Sequence, residues 1–293
     1  MQKKILLVAG AVVTLGLILC FASFASVGFS VSGFAAQEDA YVEKTYTASV
    51  NDVQKVWVDA SNMPITVVPV KGNEIAVTYF TSEKDPYEAA FENGVLSVKR
   101  KNMGWFQSSN FSLFGSLHMA NLHIQIDVPE AYAGDFQLVT SNGRISVTDL
   151  ANITDVTVNT SNASVQMENL AAEQISIDTS NGAVSLTRIN VLKQTRVDTS
   201  NGAIAAKQVI SRDGIYLHTS NGSIGVEEVE APVIELRSSN ARIMGTVSGL
   251  REDYSVSAST SNGDNNLQSG GTGDKRLTVD TSNGSIQIGF NGK

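Results

Sequence analysis

Cysteine is almost missing from this chain. Cys20 is the single one in 293 residues, so no disulfide forms within the chain and an exported fold must rest on its core and backbone ladders. Histidine is scarce too, with only His118, His123 and His218. No zinc-ligand spacing, paired-histidine motif, nucleophile elbow or phosphate loop occurs, so no cofactor or metal is expected. Positive charge is in deficit, 21 Lys and Arg against 29 Asp and Glu for a formal charge of −8. That balance leaves no basic stripe for nucleic acid.

What the chain has is a repeat. Ser-Asn recurs at Ser141, Ser161, Ser180, Ser200, Ser220, Ser239, Ser261 and Ser282, in steps of 20, 19, 20, 20, 19, 22 and 21. A fixed period of about 20 residues means one supersecondary unit stacked on itself. Three residues before each serine stand Leu138, Val158, Ile177, Val197, Leu217, Leu236, Ala258 and Val279; four after it stand Ile145, Val165, Val184, Ile204, Ile224, Ile243, Asn265 and Ile286. The residues between are mostly polar, the period-2 alternation of a strand with one buried face. Asn-Gly in helix interiors would also be among the poorest choices.

Each repeat therefore reads as strand, tight turn, strand and a corner near Leu150, Leu170, Ile189, Val209 or Val229. Asn-Gly also signals a two-residue hairpin, but hairpins need no common register, whereas stacked coils force one residue type into one column. Thr or Ser precedes each of these eight Ser-Asn pairs and Gly or Ala follows it. We read the Gly as a source of unusual φ at the corner. Asn142, Asn162, Asn181, Asn201, Asn221, Asn240, Asn262 and Asn283 are read as an inward-facing turn ladder, hydrogen-bonded up the column at about 4.8 Å per step. The fold class expected is all-β: a single-stranded, parallel β-helix-like β-solenoid of about 20 residues per coil.

A further copy, Ser61-Asn62-Met63-Pro64, stands four periods before Ser141. Residues 45–134 read as an irregular β lead-in and cap, with Asn93-Gly94 as an ordinary hairpin turn, and residues 135–293 as the regular coils. Within the lead-in, Trp105, Phe106, Phe111 and Phe114 follow Lys99-Arg100-Lys101. They are either a contact loop for a partner, glycan or membrane surface or a plug over the open first rung. At the other end, the last rung shows no obvious cap and could stack on a second copy.

No charge interrupts residues 5–36, behind Lys3 and Lys4. That run is long enough to span a bilayer, and the lysines favour a cytoplasmic N-terminus. We expect a cytoplasmic stub at 1–4, a transmembrane anchor at 5–27 and a linker at 28–44. The rival is a cleaved signal peptide. Cys20 in this run is read as a buried thiol rather than a lipidated one, since Leu19 is not small.

One outward column carries Asp178, Asp198 and His218. Its sharp reading is a cation held between the carboxylates, or a carboxylate pair acting on a sugar. The bland reading is a solvated face, because a metal site wants more oxygen ligands.

Val197-Asp198-Thr199-Ser200-Asn201-Gly202-Ala203-Ile204, together with the lead-in Leu122-His123-Ile124-Gln125-Ile126-Asp127-Val128-Pro129, resembles the bacterial putative adhesin family over residues 45–290. The resemblance implies a β-solenoid of unknown function in the cell envelope, often behind an N-terminal membrane helix, with some relatives tied to envelope-stress loci. It carries over no site residues. The functional expectation is a membrane-tethered, extracytoplasmic, non-enzymatic binding or scaffold domain whose partner is a cell-wall glycan or an envelope protein. A polysaccharide-acting enzyme and a self-stacking structural polymer are the alternatives.

Overall fold

The structure, a computed structural model, describes residues 41–101 and 122–292. The expected stub, anchor and most of the linker lie outside the described residues, as do Trp105, Phe106, Phe111 and Phe114. Among the described residues no helix is long and apolar enough to cross a membrane. Val42–Thr81, Asp85–Lys101 and the chain from Leu122 onward form one compact all-β unit.

Its lead-in strands are β1 (Val42–Ser49), β2 (Lys55–Ala60), β3 (Ile65–Val70), β4 (Glu74–Thr81), β5 (Tyr87–Glu92), β6 (Val95–Arg100) and β7 (Ile124–Pro129). The repeats give β8 (Asp135–Thr140), β9 (Ile145–Thr160), β10 (Val165–Thr179), β11 (Val184–Val191), β12 (Gln194–Thr199), β13 (Ile204–Ser211), β14 (Gly214–Thr219), β15 (Ile224–Val229), β16 (Val233–Ser238) and β17 (Ile243–Ser248). The chain closes with β18 (Tyr254–Thr260), β19 (Lys275–Thr281) and β20 (Ile286–Asn291).

The two segments directly flanking a Ser-Asn turn do not pair with each other. Each pairs in parallel with its equivalent one period away: Val197 with Leu217 and Leu217 with Leu236 before the turn, Val184 with Ile204 and Ile204 with Ile224 after it. This is the stacked-coil arrangement, solenoid-like rather than an array of hairpins. The apolar columns meet inside, where Leu138, Val158, Ile177, Val197, Leu217 and Leu236 are all buried. Each such side chain contributes about 1.5–3 kcal/mol of burial, and stacking supplies the partner that one coil lacks.

At the far corner, Asp149, Asn169, Arg188, Gln208 and Glu228 share φ values of 53–57°. They form a column of left-handed residues just before Leu150, Leu170, Ile189, Val209 and Val229, where the corner was expected. Asn93 and Gly94, at φ 51° and 80°, turn the antiparallel β5–β6 hairpin.

The stacking order departs from chain order at both ends. β2 lies between β6 and β8, and β3 between β7 and β9, all in parallel. Regular stacking thus reaches back to Lys55, well inside the region read as irregular, and the boundary at 134/135 does not mark its start. At the other end β19 lies between β16 and β18, while β20 stacks on β17. The coil last in sequence is therefore enclosed, and the seventh Ser-Asn copy is outermost.

Neither end continues as a bare parallel rung. β6 is covered by antiparallel β5 and β7 by antiparallel β4, which carries β1. Beyond β18 the chain folds back on itself. Gly270 exchanges both backbone hydrogen bonds with Val256, at 2.9 and 2.8 Å, and Ser269 Oγ bonds the backbone N–H and C=O of Ala258. The last rung in sequence, expected to lie uncapped, is instead enclosed, and the outermost edge, at β18, is occupied by the chain's own fold-back, the device that blunts edge-to-edge pairing.

Candidate functional site

Each turn of the ridge is built from its threonine outward. In Thr199-Ser200-Asn201-Gly202 the buried Thr199 hydroxyl accepts the Gly202 N–H at 3.0 Å. The same bond closes the turns at Thr140, Thr160, Thr179, Thr219, Ser238 and Thr281, between 3.0 and 3.2 Å. Several of these hydroxyls also donate to the rung beneath, as Thr219 does to the Gly202 carbonyl at 3.1 Å. One small polar side chain thus satisfies a buried N–H and ties two coils together.

Glycine follows for a reason other than the one the sequence suggested. The ridge glycines do not have positive φ. A Cβ on Gly202 would stand 1.9 Å from the Gly182 carbonyl oxygen, and one on Gly222 would stand 1.8 Å from that of Gly202. Rung-on-rung approach, not backbone handedness, excludes the side chain. Ala163 and Ala241 share the column, and nothing in the structure explains why they fit.

The asparagines point outward, not inward, and all are exposed. The polar end of the turn faces solvent because the apolar columns on either side already fill the interior. Their amides form one continuous ladder. Asn142 Nδ2 donates to Asn62 Oδ1, and the chain continues through Asn162, Asn181, Asn201, Asn221 and Asn240 at 2.6–2.8 Å per step. Asn283 donates to Asn240 and Asn262 to Asn283. Asn62, set apart in the sequence by its Met-Pro, is the first member. Every donor points the same way along the stack, so the amide dipoles add, and such chains reinforce one another.

Between the two ends of the ladder, Asn62 and Asn262, each amide gives one of its two N–H groups and one of two oxygen lone pairs to its neighbours in the column. The remainder face solvent beside the exposed serine hydroxyls, making a periodic comb of donors and acceptors. The turn at its head is fastened by Tyr87, whose hydroxyl accepts the Ser61 N–H at 3.0 Å. Burial pushes the Tyr87 phenol up, and the charge of Asp85 adds to this, against the lowering pull of that N–H.

The column holding Asp178, Asp198 and His218 does face outward, as expected. Asp178 is exposed, whereas Asp198 and His218 are wired into a chain of polar contacts. Arg196 Nε sits 2.6 Å from Asp198 Oδ2, and His218 Nδ1 sits 3.2 Å from Asp198 Oδ1. His218 Nε2 lies 2.7 Å from Glu235 Oε1. That oxygen stands off the ring N–H direction and makes no hydrogen bond with it. Arg237 then spans Glu235 and Asp280, and Ser259 closes the chain on Asp280. Arg196 is thus the positive charge that faces Asp198. Among the described residues no three His, Cys, Asp or Glu side chains gather as a metal site would require. Arg196 and Glu235 went unnoticed in the sequence because they lie one alternation away from the repeat column.

A family model described as Toastrack DUF4097 matches residues 53–291. No curated protein matches the chain. Among solved structures it is similar to a putative adhesin from Parabacteroides distasonis, at 9% identity over 85% of this chain and 97% of that one, with a TM-score of 0.42. It is similar to a putative adhesin from Bacteroides fragilis at 11% identity, over 86% and 100% of the two chains, with a TM-score of 0.36. A putative lipid binding protein from Parabacteroides distasonis aligns at 10% identity over 86% and 99%, with a TM-score of 0.33.

Proposed function

The chain belongs to the Toastrack DUF4097 family, and from that premise we propose that it is a non-enzymatic binding or scaffold domain of the bacterial cell envelope. The observation that carries this reading is the exposed comb of Ser-Asn turns running from Asn62 to Asn262. Its unspent amide and hydroxyl groups complement a hydroxyl-rich polymer lying along the stack, and a cell-wall glycan is the partner we favour over an envelope protein.

Tethering is part of the proposal. The uncharged run from Ile5 to Ala36 behind two lysines suits a single membrane span with the β unit outside the cytoplasm. An accessory role in envelope stress is compatible with that placement. Catalysis is not proposed, because Asp198 and His218 are committed to Arg196 and Glu235. A self-stacking polymer is disfavoured by the antiparallel strands at one end and the fold-back over β18 at the other.

Co-sedimentation with insoluble cell-wall glycan tests the reading. We expect the wild-type protein to pellet with the glycan, and a triple variant (Asn181→Ala, Asn201→Ala, Asn221→Ala) that retains its circular dichroism spectrum to stay in solution. Equal pelleting of both proteins, or release of soluble sugars by the purified protein, would overturn it.

A further inference from the structure

Asparagine loses ammonia spontaneously when the backbone nitrogen of the next residue attacks its side-chain carbonyl carbon, and a following glycine hinders that attack least. The ridge carries this pairing at Asn142, Asn181, Asn201, Asn221, Asn262 and Asn283. In five of the six the attacking nitrogen is held, since the glycine is buried and its N–H is bonded to the turn threonine at 3.0–3.2 Å. The side-chain amide under attack is held as well, donating to one neighbouring rung and accepting from the other.

Asn262 differs on each count. Gly263 is exposed. Its N–H has no bond to Thr260, whose hydroxyl donates to the Gly284 carbonyl at 2.8 Å. Asn262 also closes the ladder, so its Nδ2 donates to Asn283 while its oxygen receives no rung. The cause is positional: the seventh copy is outermost, and no coil stacks above it to bury the turn. Two Asn-Gly pairs lie off the ridge. Asn93 is fixed by its hairpin in the left-handed conformation, and the Asn291 amide is held by Glu228 at 2.8 Å.

We propose that Asn262 is a site of spontaneous deamidation, while the threonine-closed turn protects the other five ridge pairs. The deprotonated Gly263 nitrogen bonds to Asn262 Cγ, the Cγ–Nδ2 bond breaks, and ammonia leaves with a proton from solvent, giving a succinimide. Water then opens that ring at one carbonyl to aspartate or at the other to isoaspartate. No electrons are exchanged. The product places a carboxylate against Asn283 Oδ1 where an amide donor stood, so the outermost rung of the comb loses its bond and gains a negative charge.

The folded protein, held in mildly alkaline heavy-oxygen water and mapped by peptide mass spectrometry, supplies the test. The Asn262 peptide should convert at least about tenfold faster than those of Asn181, Asn201 and Asn221, because each of these must first open buried hydrogen bonds. In urea-unfolded protein the six should convert at similar rates. Thr199→Val should raise conversion at Asn201 several-fold while leaving Asn181 unchanged. Conversion of Asn262 no faster than Asn201 in the folded protein sinks the proposal, and so does the same ranking persisting in urea. Neither outcome depends on whether the ridge binds glycan.

Discussion

Asn283 Nδ2 donates to Asn240 Oδ1 across 2.7 Å, although the two stand 43 positions apart in the chain. The Ser-Asn copy that falls between the two in sequence, at Asn262, sits beyond Asn283 instead. The last coil is thus slotted into the stack, which gives its strands two partners where a terminal coil would have one.

Removing it should therefore be severe. A chain ending at Gly273 loses β19 and β20, takes one parallel partner from each of β16, β17 and β18, and leaves β18 paired with its own fold-back alone. Trimming the end of an ordinary repeat array costs one interface. Here we expect aggregation or a protease-sensitive C-terminal third, read by size-exclusion chromatography and limited proteolysis; a monomeric product as resistant as the full chain would refute the slotted arrangement.

Thr199→Val keeps shape and removes the hydroxyl, leaving the buried Gly202 N–H unsatisfied. The expected loss is about 1–3 kcal/mol in urea unfolding. Ser200→Ala, at the exposed neighbour, should lie within about 0.5 kcal/mol of wild type.

Two glycines should respond in opposite directions. Gly202→Ala drives a Cβ into the Gly182 carbonyl and should cost about 1–3 kcal/mol. Gly225→Ala meets nothing within 4 Å and should gain about 0.5–1 kcal/mol by restricting the unfolded chain. Thermal melts of the pair would separate close approach from mere composition.

Arg188→Gly relieves a left-handed residue (φ 53°) worth about 1–2 kcal/mol, and gives back about 0.5–1 kcal/mol in glycine flexibility. The exposed ion pair with Glu168 adds about 0–1 kcal/mol to the loss. The variant should be no less stable than wild type within about 0.5 kcal/mol, whereas the same change at Arg196, which bonds Asp198 from within a strand, should destabilise.

Alkali should loosen the C-terminal end. Tyr254 is fully buried, its hydroxyl donates to the Ser248 carbonyl at 2.6 Å, and burial first, then Glu230 and Asp253, push its pKa up to about 12. The folded state holds the proton more tightly than the unfolded state, so this contribution is complete below about pH 10 and is lost as pH rises towards 12. Burial also raises Tyr132, so Tyr254→Phe should flatten the fall in stability across that window without abolishing it. An unchanged slope would show that Tyr254 does not titrate with unfolding.

The repeat unit was legible in the sequence and the stacking order was not. Apolar residues three before and four after each serine mark the buried columns, and the corners fall where Leu150, Leu170 and Ile189 place them. Every coil presents those same columns, however, so one coil can in principle stack on any other. The period names the unit without ordering its copies. The longer steps around Ser261 and the run Asp264-Asn265-Asn266 were the only local signs that the seventh copy stands outside the eighth. Residues 63–121 hid the other exchange, since β4 and β5 depart from the repeat while β3, β6 and β7 keep it. The outward set of the asparagines and the role of Thr199 depend on how tightly one backbone approaches the next, a distance that residue alternation does not encode.

The placement of β2 and β19, each sandwiched inside the stack, bears on how the domain yields under load. A thread wound in simple order can be unreeled from its free end, one loop at a time. Here each tail leads, behind β1 or β20, to a strand gripped on two sides, so once that strand is reached tugging shears two ladders at once and the stack should let go abruptly, with a single high-force event.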